Sequence, residues 1–213
     1  MLCKIAHMIY RLTTSGLSKG PSISRYYMYK HISNYKRDWN SSARALSISD
    51  SQRACRILGF ADNQIVNTEY PSVDMLSLPF PSAEFDAVVS EQVLEHLGGN
   101  PSDAVQEAYR VLKPGGISLH TTCFLTEIHG WAHDVANDFW RFSPEGLKIL
   151  SRDCPDILDC GGWGNALALI HIMLGMRYFE IPNARWHPLH WISEWNNPDW
   201  PISTWVLSIK RAC

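Results

Sequence analysis

The stretch LTEIHGWAHDVANDFWRFS, residues 125–143, gathers His129, His133, Asp134, Asp138 and Arg141. Imidazole is the side chain that changes charge near neutral pH, so it can take a proton from a hydroxyl as a general base. His129 and His133 are therefore the candidate catalytic residues. Imidazole with carboxylate also suits zinc or iron. The ligand types here are loosely spaced, however, and no metal is assigned. A third reading is structural, with Asp138 and Arg141 pairing and capping the helix that follows. A second group, Glu91, Glu95 and His96 in SEQVLEHL, closes the apolar run FDAVVS with no lysine or arginine close in sequence. Either these residues open a solvated helix or they face a ligand. On a helix, residues four apart share a face, which would place Gln92 with His96 and Glu91 with Glu95.

A scaffold has to carry these groups. ARALSIS (43–49), NQIVNTEY (63–70), FDAVVSE (85–91) and ISLHTTCF (117–124) read as strands, and ILDCGGWGN and TWVLSIKR as two late ones. Helices are predicted over DSQRACRILGF, with Ser49 or Asp50 as N-cap and Gly59 as the stop, and over PSDAVQEAYRVLKPGG, with Pro101 near its start. Another follows over SPEGLKILSRD, with Ser143 as N-cap and Pro144 in the first turn. Strands alternating with helices imply a mostly parallel sheet covered on both faces, with one late strand antiparallel at an edge. Ligands bind such sheets outside the carboxyl ends of the strands. Glu91 and the 125–143 loop both leave strands at that side. Residues 1–42 read as an N-terminal helical extension and 43–213 as the main domain. The aromatic-basic run SRYYMYKHISNYKRDW fits a helical cap.

LPFPSAEFDAVVSEQVLEHL followed by AVQEAYRVLKPGG resembles the class I S-adenosylmethionine (SAM)-dependent methyltransferases of the small-molecule, type 11-like kind. IHGWAHD, DFWRFSPEGL, GGWGN and PDWPISTWVLSIKR are similar to later landmarks of one branch, so the resemblance runs from the first strand to the end. It implies a Rossmann-like, doubly wound, mostly parallel seven-stranded sheet with an antiparallel last strand. It implies SAM as cofactor and methyl transfer to a small-molecule or saccharide-like acceptor, with oxygen the preferred atom. On that resemblance Ser49 and Asp50 form the first cofactor loop, with Asp50 taking the ammonium. Glu69 accepts the ribose hydroxyls, since a bidentate carboxylate matches a vicinal diol. Asp74 addresses the adenine amino group, and Met75 and Leu76 supply its apolar wall. Ser90, Glu91 and Gln92 run along the methionine part. From its own placement His96 is a candidate cofactor or substrate contact, or else a helix-capping histidine packed against the sheet. Trp131 and Arg141 are assigned with it to the acceptor side.

One departure stands out. The family usually places a glycine-rich loop after its first strand, where the missing Cβ lets backbone approach the cofactor. This chain has LSISDSQRACRILGF, with no glycine before Gly59. SAM carries no phosphate, so the loss weighs less here than in a dinucleotide site that needs the loop amides. The alternative reading is a non-catalytic binding or regulatory protein on the same fold.

Composition narrows the partners. A chain of 213 residues that is 46% hydrophobic and 19% charged is an ordinary soluble globule. A formal charge of -2 argues against a nucleic acid partner. Six cysteines without a CxxC pair argue against a zinc ribbon or a disulfide framework, and for a reduced, cytoplasmic setting. MLCKIAHMIYRLTTSGLSKG lacks a secretory core, and no run of about twenty apolar residues occurs, so stable membrane insertion is not expected. Nine tryptophans, most of them after residue 130, predict an aromatic core first and a pocket wall second. The block NARWHPLHWISEWNNPDWPISTW could wall a pocket, close as a lid or form a homodimer contact.

Overall fold

A computed structural model describes residues 1–129, 137–153 and 156–211. Its strands are β1 (Lys19–Ser22), β2 (Ala45–Ile48), β3 (Ile65–Thr68), β4 (Phe85–Glu91), β5 (Leu112–Cys123), β6 (Asp156–Trp163), β7 (Glu180–Pro182) and β8 (Ser203–Ile209). Its α-helices are α1 (Leu2–Thr14), α2 (Ile23–Ile32), α3 (Gln52–Ile57), α4 (Pro101–Val111), α5 (Pro144–Leu150), α6 (Ala166–His171) and α7 (Pro188–Glu194). The chain divides into two compact units. One comprises residues 1–31, 125–127 and 162–203, the other 32–124, 128–161 and 204–213.

The second unit is built on a six-stranded sheet in the order β3-β2-β4-β5-β8-β6. The β3–β2, β2–β4 and β4–β5 pairs are parallel. Gly116 meets Lys210 and Ser118 meets Ser208, so β8 runs antiparallel to β5. The α/β class, the parallel centre and the reversed last strand follow the sequence expectation; the count of seven does not. Residues between β3 and β4 include Pro71, Pro79 and Pro81, which lack amide donors, and they join the two strands through turns without adding one.

The central strands are apolar on both faces because helices cover both. Leu46, Ile48, Phe85, Val88, Leu94, Val105, Leu112 and Val206 are buried in one cluster. Each such side chain contributes roughly 1.5–3 kcal/mol on leaving water. The helix ends follow their predicted chemistry in two places. Ser143 Oγ accepts the Gly146 amide at 3.1 Å with Pro144 in the first turn, and Asn100 accepts the Ser102 amide at 3.1 Å with Pro101 next to it. Two expectations fail. The N-cap of α3 is Ser51, because Ser49 and Asp50 are taken up by a left-handed turn. No α-helix opens at Gln92; only a 3₁₀ turn forms over Leu94–His96, so the shared-face argument lapses.

In the first unit β1 pairs antiparallel with β7, aligning Lys19 with Pro182 and Ser22 with Glu180. A uniformly helical N-terminal segment was expected; the strand forms because its partner lies far along the chain. Tyr10 donates to the Glu180 carbonyl at 2.7 Å, and His7 Nε2 lies 3.2 Å from the Leu174 carbonyl, which holds α1 to this unit. The aromatic-core expectation holds for Trp163 and Trp205, which are buried. Trp186, Trp191, Trp195 and Trp200 are exposed. Among the described residues no helix is long and apolar enough to cross a membrane, and Cys3, Cys55, Cys123 and Cys160 form no disulfide.

Candidate functional site

The carboxyl ends of β2, β3 and β4 lie side by side, with Ile48 level with both Thr68 and Ser90. Immediately beyond β2, Ser49 and Asp50 have φ of 48° and 63°. This is the left-handed region where glycine normally sits and where aspartate is among the better-tolerated alternatives. The chain thus makes a glycine-type turn without glycine. Ser51 follows as a fully buried anchor: its Oγ donates to the Ile48 carbonyl at 2.5 Å and accepts the Glu91 amide at 2.7 Å. The end of β2 is thereby tied to the end of β4. Sequence reasoning gave Ser51 no role beyond turn formation; the only signal was its place in the SDS run after an apolar strand.

Around this junction the predicted cofactor residues take distinct positions. Asp50 is exposed and accepts from the Gln52 amide at 3.2 Å. Glu69 stands exposed just past β3. Asp74 Oδ1 accepts the Leu76 amide at 2.9 Å and its carbonyl accepts the Ser77 amide at 3.1 Å, a self-bonded turn that exposes part of its side chain. Met75 is buried and Leu76 half-buried beside it. Ser90 is fully buried, and its hydroxyl lies 2.8 Å from His120 Nδ1 on the neighbouring strand. That hydroxyl is committed to the sheet. Glu91 is half-buried.

Gln92 is the informative member. Its φ is 58°, and its amide N–H donates to the Thr121 carbonyl at 2.9 Å. Both polar atoms of its side-chain amide are buried, and neither finds a partner among the described residues. A buried amide without hydrogen bonds costs roughly 1–3 kcal/mol, so a ligand that bonds to it recovers that cost.

The histidine loop returns to the same sheet end. Phe139 and Trp140 donate their backbone amides to the Glu95 carbonyl at 2.8 and 3.2 Å, and Trp140 Nε1 donates to the Leu97 carbonyl at 2.8 Å. His129 Nδ1 lies 3.1 Å from Asp138 Oδ2, which also accepts the His129 amide at 2.7 Å. Arg141 closes the group with paired bonds to the Asp138 carboxylate. Burial pushes the Asp138 pKa up, but the Arg141 and His129 hydrogen bonds outweigh it and hold the carboxyl below its ordinary value. His96 Nδ1 is 2.8 Å from the Asn137 carbonyl, and its ring meets that of His129 edge to face at 5.2 Å. The structure therefore brings His129, His96 and Arg141 together. Arg141 orients Asp138 in this arrangement. His133 and Trp131 lie outside the described residues.

A methyltransferase domain profile matches residues 31–119. The malonyl-[acyl-carrier protein] O-methyltransferase of Enterobacter lignolyticus is 36% identical over 128 residues, 59% of this chain and 47% of that protein. Over these residues the chain is similar to the SAM-dependent methyltransferases. A second relative is the rice (Oryza sativa) 2-methyl-6-phytyl-1,4-hydroquinone methyltransferase 1, chloroplastic, 34% identical over 74 residues, 34% of this chain and 21% of that one. The chain spans less than half the length of these curated relatives. Among solved structures, Haemonchus contortus phosphoethanolamine N-methyltransferase 2 in complex with S-adenosyl-L-methionine superposes with a TM-score of 0.53 at 12% identity, covering 96% of this chain and 56% of that one. The [4+2]-cyclase SpnF superposes with a TM-score of 0.52 at 16% identity, covering 100% and 94%. These two likenesses show the class I methyltransferase fold alone, and a cyclase on that fold means the reaction has to be argued from the site.

Proposed function

We propose that this chain uses SAM to methylate a small-molecule or saccharide-like acceptor at a hydroxyl oxygen. The observation that carries this reading is the buried, unpartnered amide of Gln92 beside the left-handed Ser49–Asp50 turn. Together they supply a tight turn and an unmet polar group at the strand ends, where a nucleoside cofactor of this fold belongs.

The residues present fit SAM. Asp50 and Glu69 are exposed carboxylates suited to an ammonium group and a vicinal diol. Asp74, Met75 and Leu76 offer a polar edge and an apolar wall to adenine. Gln92 and Glu91 flank the methionine part, while Ser90 holds the end of β4 in place through His120. SAM supplies an activated methyl group on a sulfonium. The protein's own work is alignment and proton removal. Asp138 sets the His129 ring with its proton on Nδ1, which leaves Nε2 to take a hydroxyl proton. His96, at the His129 ring edge, lies where it can contact the acceptor. The preference for a hydroxyl oxygen rests on this His129–Asp138 pair, since a carboxylate oxygen would need no base.

Calorimetric titration with S-adenosylhomocysteine and SAM tests the reading, with a Glu69→Ala variant alongside. Micromolar binding that the variant weakens by about tenfold or more is expected for loss of a charge-assisted bond. Absence of binding at millimolar ligand would sink the methyl-transfer reading and favour a binding module that has lost the cofactor.

A further inference from the structure

We propose that Glu95, His96 and His129 form a binding site for a divalent transition-metal ion of the zinc class. The site goes beyond the methyl-transfer reading and is defined by metal binding alone. Each of the three side chains offers a ligand atom within 4.8 Å of the other two. Two imidazoles and one carboxylate are a known three-ligand zinc set that leaves a fourth position open.

Three observations point to an ion. The first is Glu95. It is fully buried, its Oε2 accepts from Thr122 Oγ1 at 2.8 Å, and its Oε1 has no partner among the described residues. A buried carboxylate oxygen left unmet is unfavourable, and a cation satisfies it. The second is the orientation of the two rings. The Asn137 carbonyl can only accept, so His96 carries its proton on Nδ1 and turns the Nε2 lone pair outward. The Asp138 carboxylate takes the Nδ1 of His129 in the same way. Ligating histidines characteristically donate their second nitrogen to a carbonyl or carboxylate in this way, and ligating carboxylates are themselves hydrogen-bonded, as Glu95 is by Thr122. The third is ring spacing. Two imidazoles on one tetrahedral ion with Zn–N of about 2.0 Å have centroids roughly 5 Å apart. The His96 and His129 centroids are 5.2 Å apart.

The backbone fixes the convergence, because the Phe139 and Trp140 amides fasten the loop to the Glu95 carbonyl. The ion and the acceptor hydroxyl compete for the same His129 nitrogen. The base role thus belongs to the metal-free protein.

The test uses the full chain stripped with chelator and titrated with Co²⁺, Zn²⁺ and Mg²⁺ separately. One equivalent of Co²⁺ should bind with the visible absorption of a four-coordinate ion and be displaced by Zn²⁺, while Mg²⁺ should not bind. Glu95→Gln and His96→Gln should each weaken Co²⁺ binding about tenfold or more, and Asp138→Asn by about 10–100-fold. His31→Gln, in the other unit, should leave it unchanged. Circular dichroism checks that each variant folds; if Glu95→Gln does not, the half-buried His96 carries the comparison. Wild-type affinity in the His96 variant, no Co²⁺ uptake at high micromolar metal, or equal affinity for Mg²⁺ would each overturn the site.

Discussion

Ser51 Oγ accepts the Glu91 amide proton at 2.7 Å and donates its own to the Ile48 carbonyl at 2.5 Å. One buried hydroxyl thereby holds the ends of β2 and β4 in register at the edge of the candidate cofactor site. This is the work a tight glycine loop would otherwise share. Ser51→Ala strands a buried donor and removes the strand-end tie. A stability loss of about 1–3 kcal/mol is expected by denaturant unfolding, together with weaker S-adenosylhomocysteine binding. An unchanged unfolding midpoint would mean the tie is absent in solution.

The left-handed turn makes a second, opposite-signed prediction. Ser49 occupies φ of 48°, which costs a residue with a Cβ about 1–2 kcal/mol. Glycine removes that cost but gives back roughly 0.5–1 kcal/mol in backbone entropy. Ser49→Gly should therefore be neutral to slightly stabilising, whereas the β-branched Ser49→Val should lower the melting temperature. If valine is tolerated as well as glycine, the turn is not left-handed.

A third prediction concerns acid. His120 is fully buried, and burial pushes its pKa down to about 4; His171 is lowered to about 4 for the same first reason. In the unfolded chain both titrate near the ordinary value of about 6.5. Between these values the unfolded state binds protons that the folded state refuses. Stability must then fall as pH drops from about 6.5 toward 4, by roughly 1 kcal/mol per pH unit per histidine, and level off below. His120→Gln should flatten part of this slope in unfolding curves taken across that range. A slope identical to wild type would show that His120 is not held neutral.

Much of the scaffold was legible from local pattern. Apolar runs bounded by turn residues located all six strands of the main sheet, and Ser143 with Pro144 marked the start of α5, because these signals depend on near neighbours. The seventh strand was borrowed from resemblance, and the proline-bearing 69–84 segment did not supply it. The helix expected from Gln92 onward collapsed to one 3₁₀ turn. Glu95 therefore points into the sheet, where Thr122 meets it.

Residue types alone marked the strand ends and the histidine loop as places for chemistry. They could not say which groups meet. The pairing of β1 with β7, the unmet Gln92 amide, and the convergence of Glu95, His96 and His129 all depend on long-range backbone bonds. The Phe139 and Trp140 amides on the Glu95 carbonyl are the clearest case. Such bonds join segments far apart in the chain, and their energy exists only once the sheet has brought both segments to the same edge.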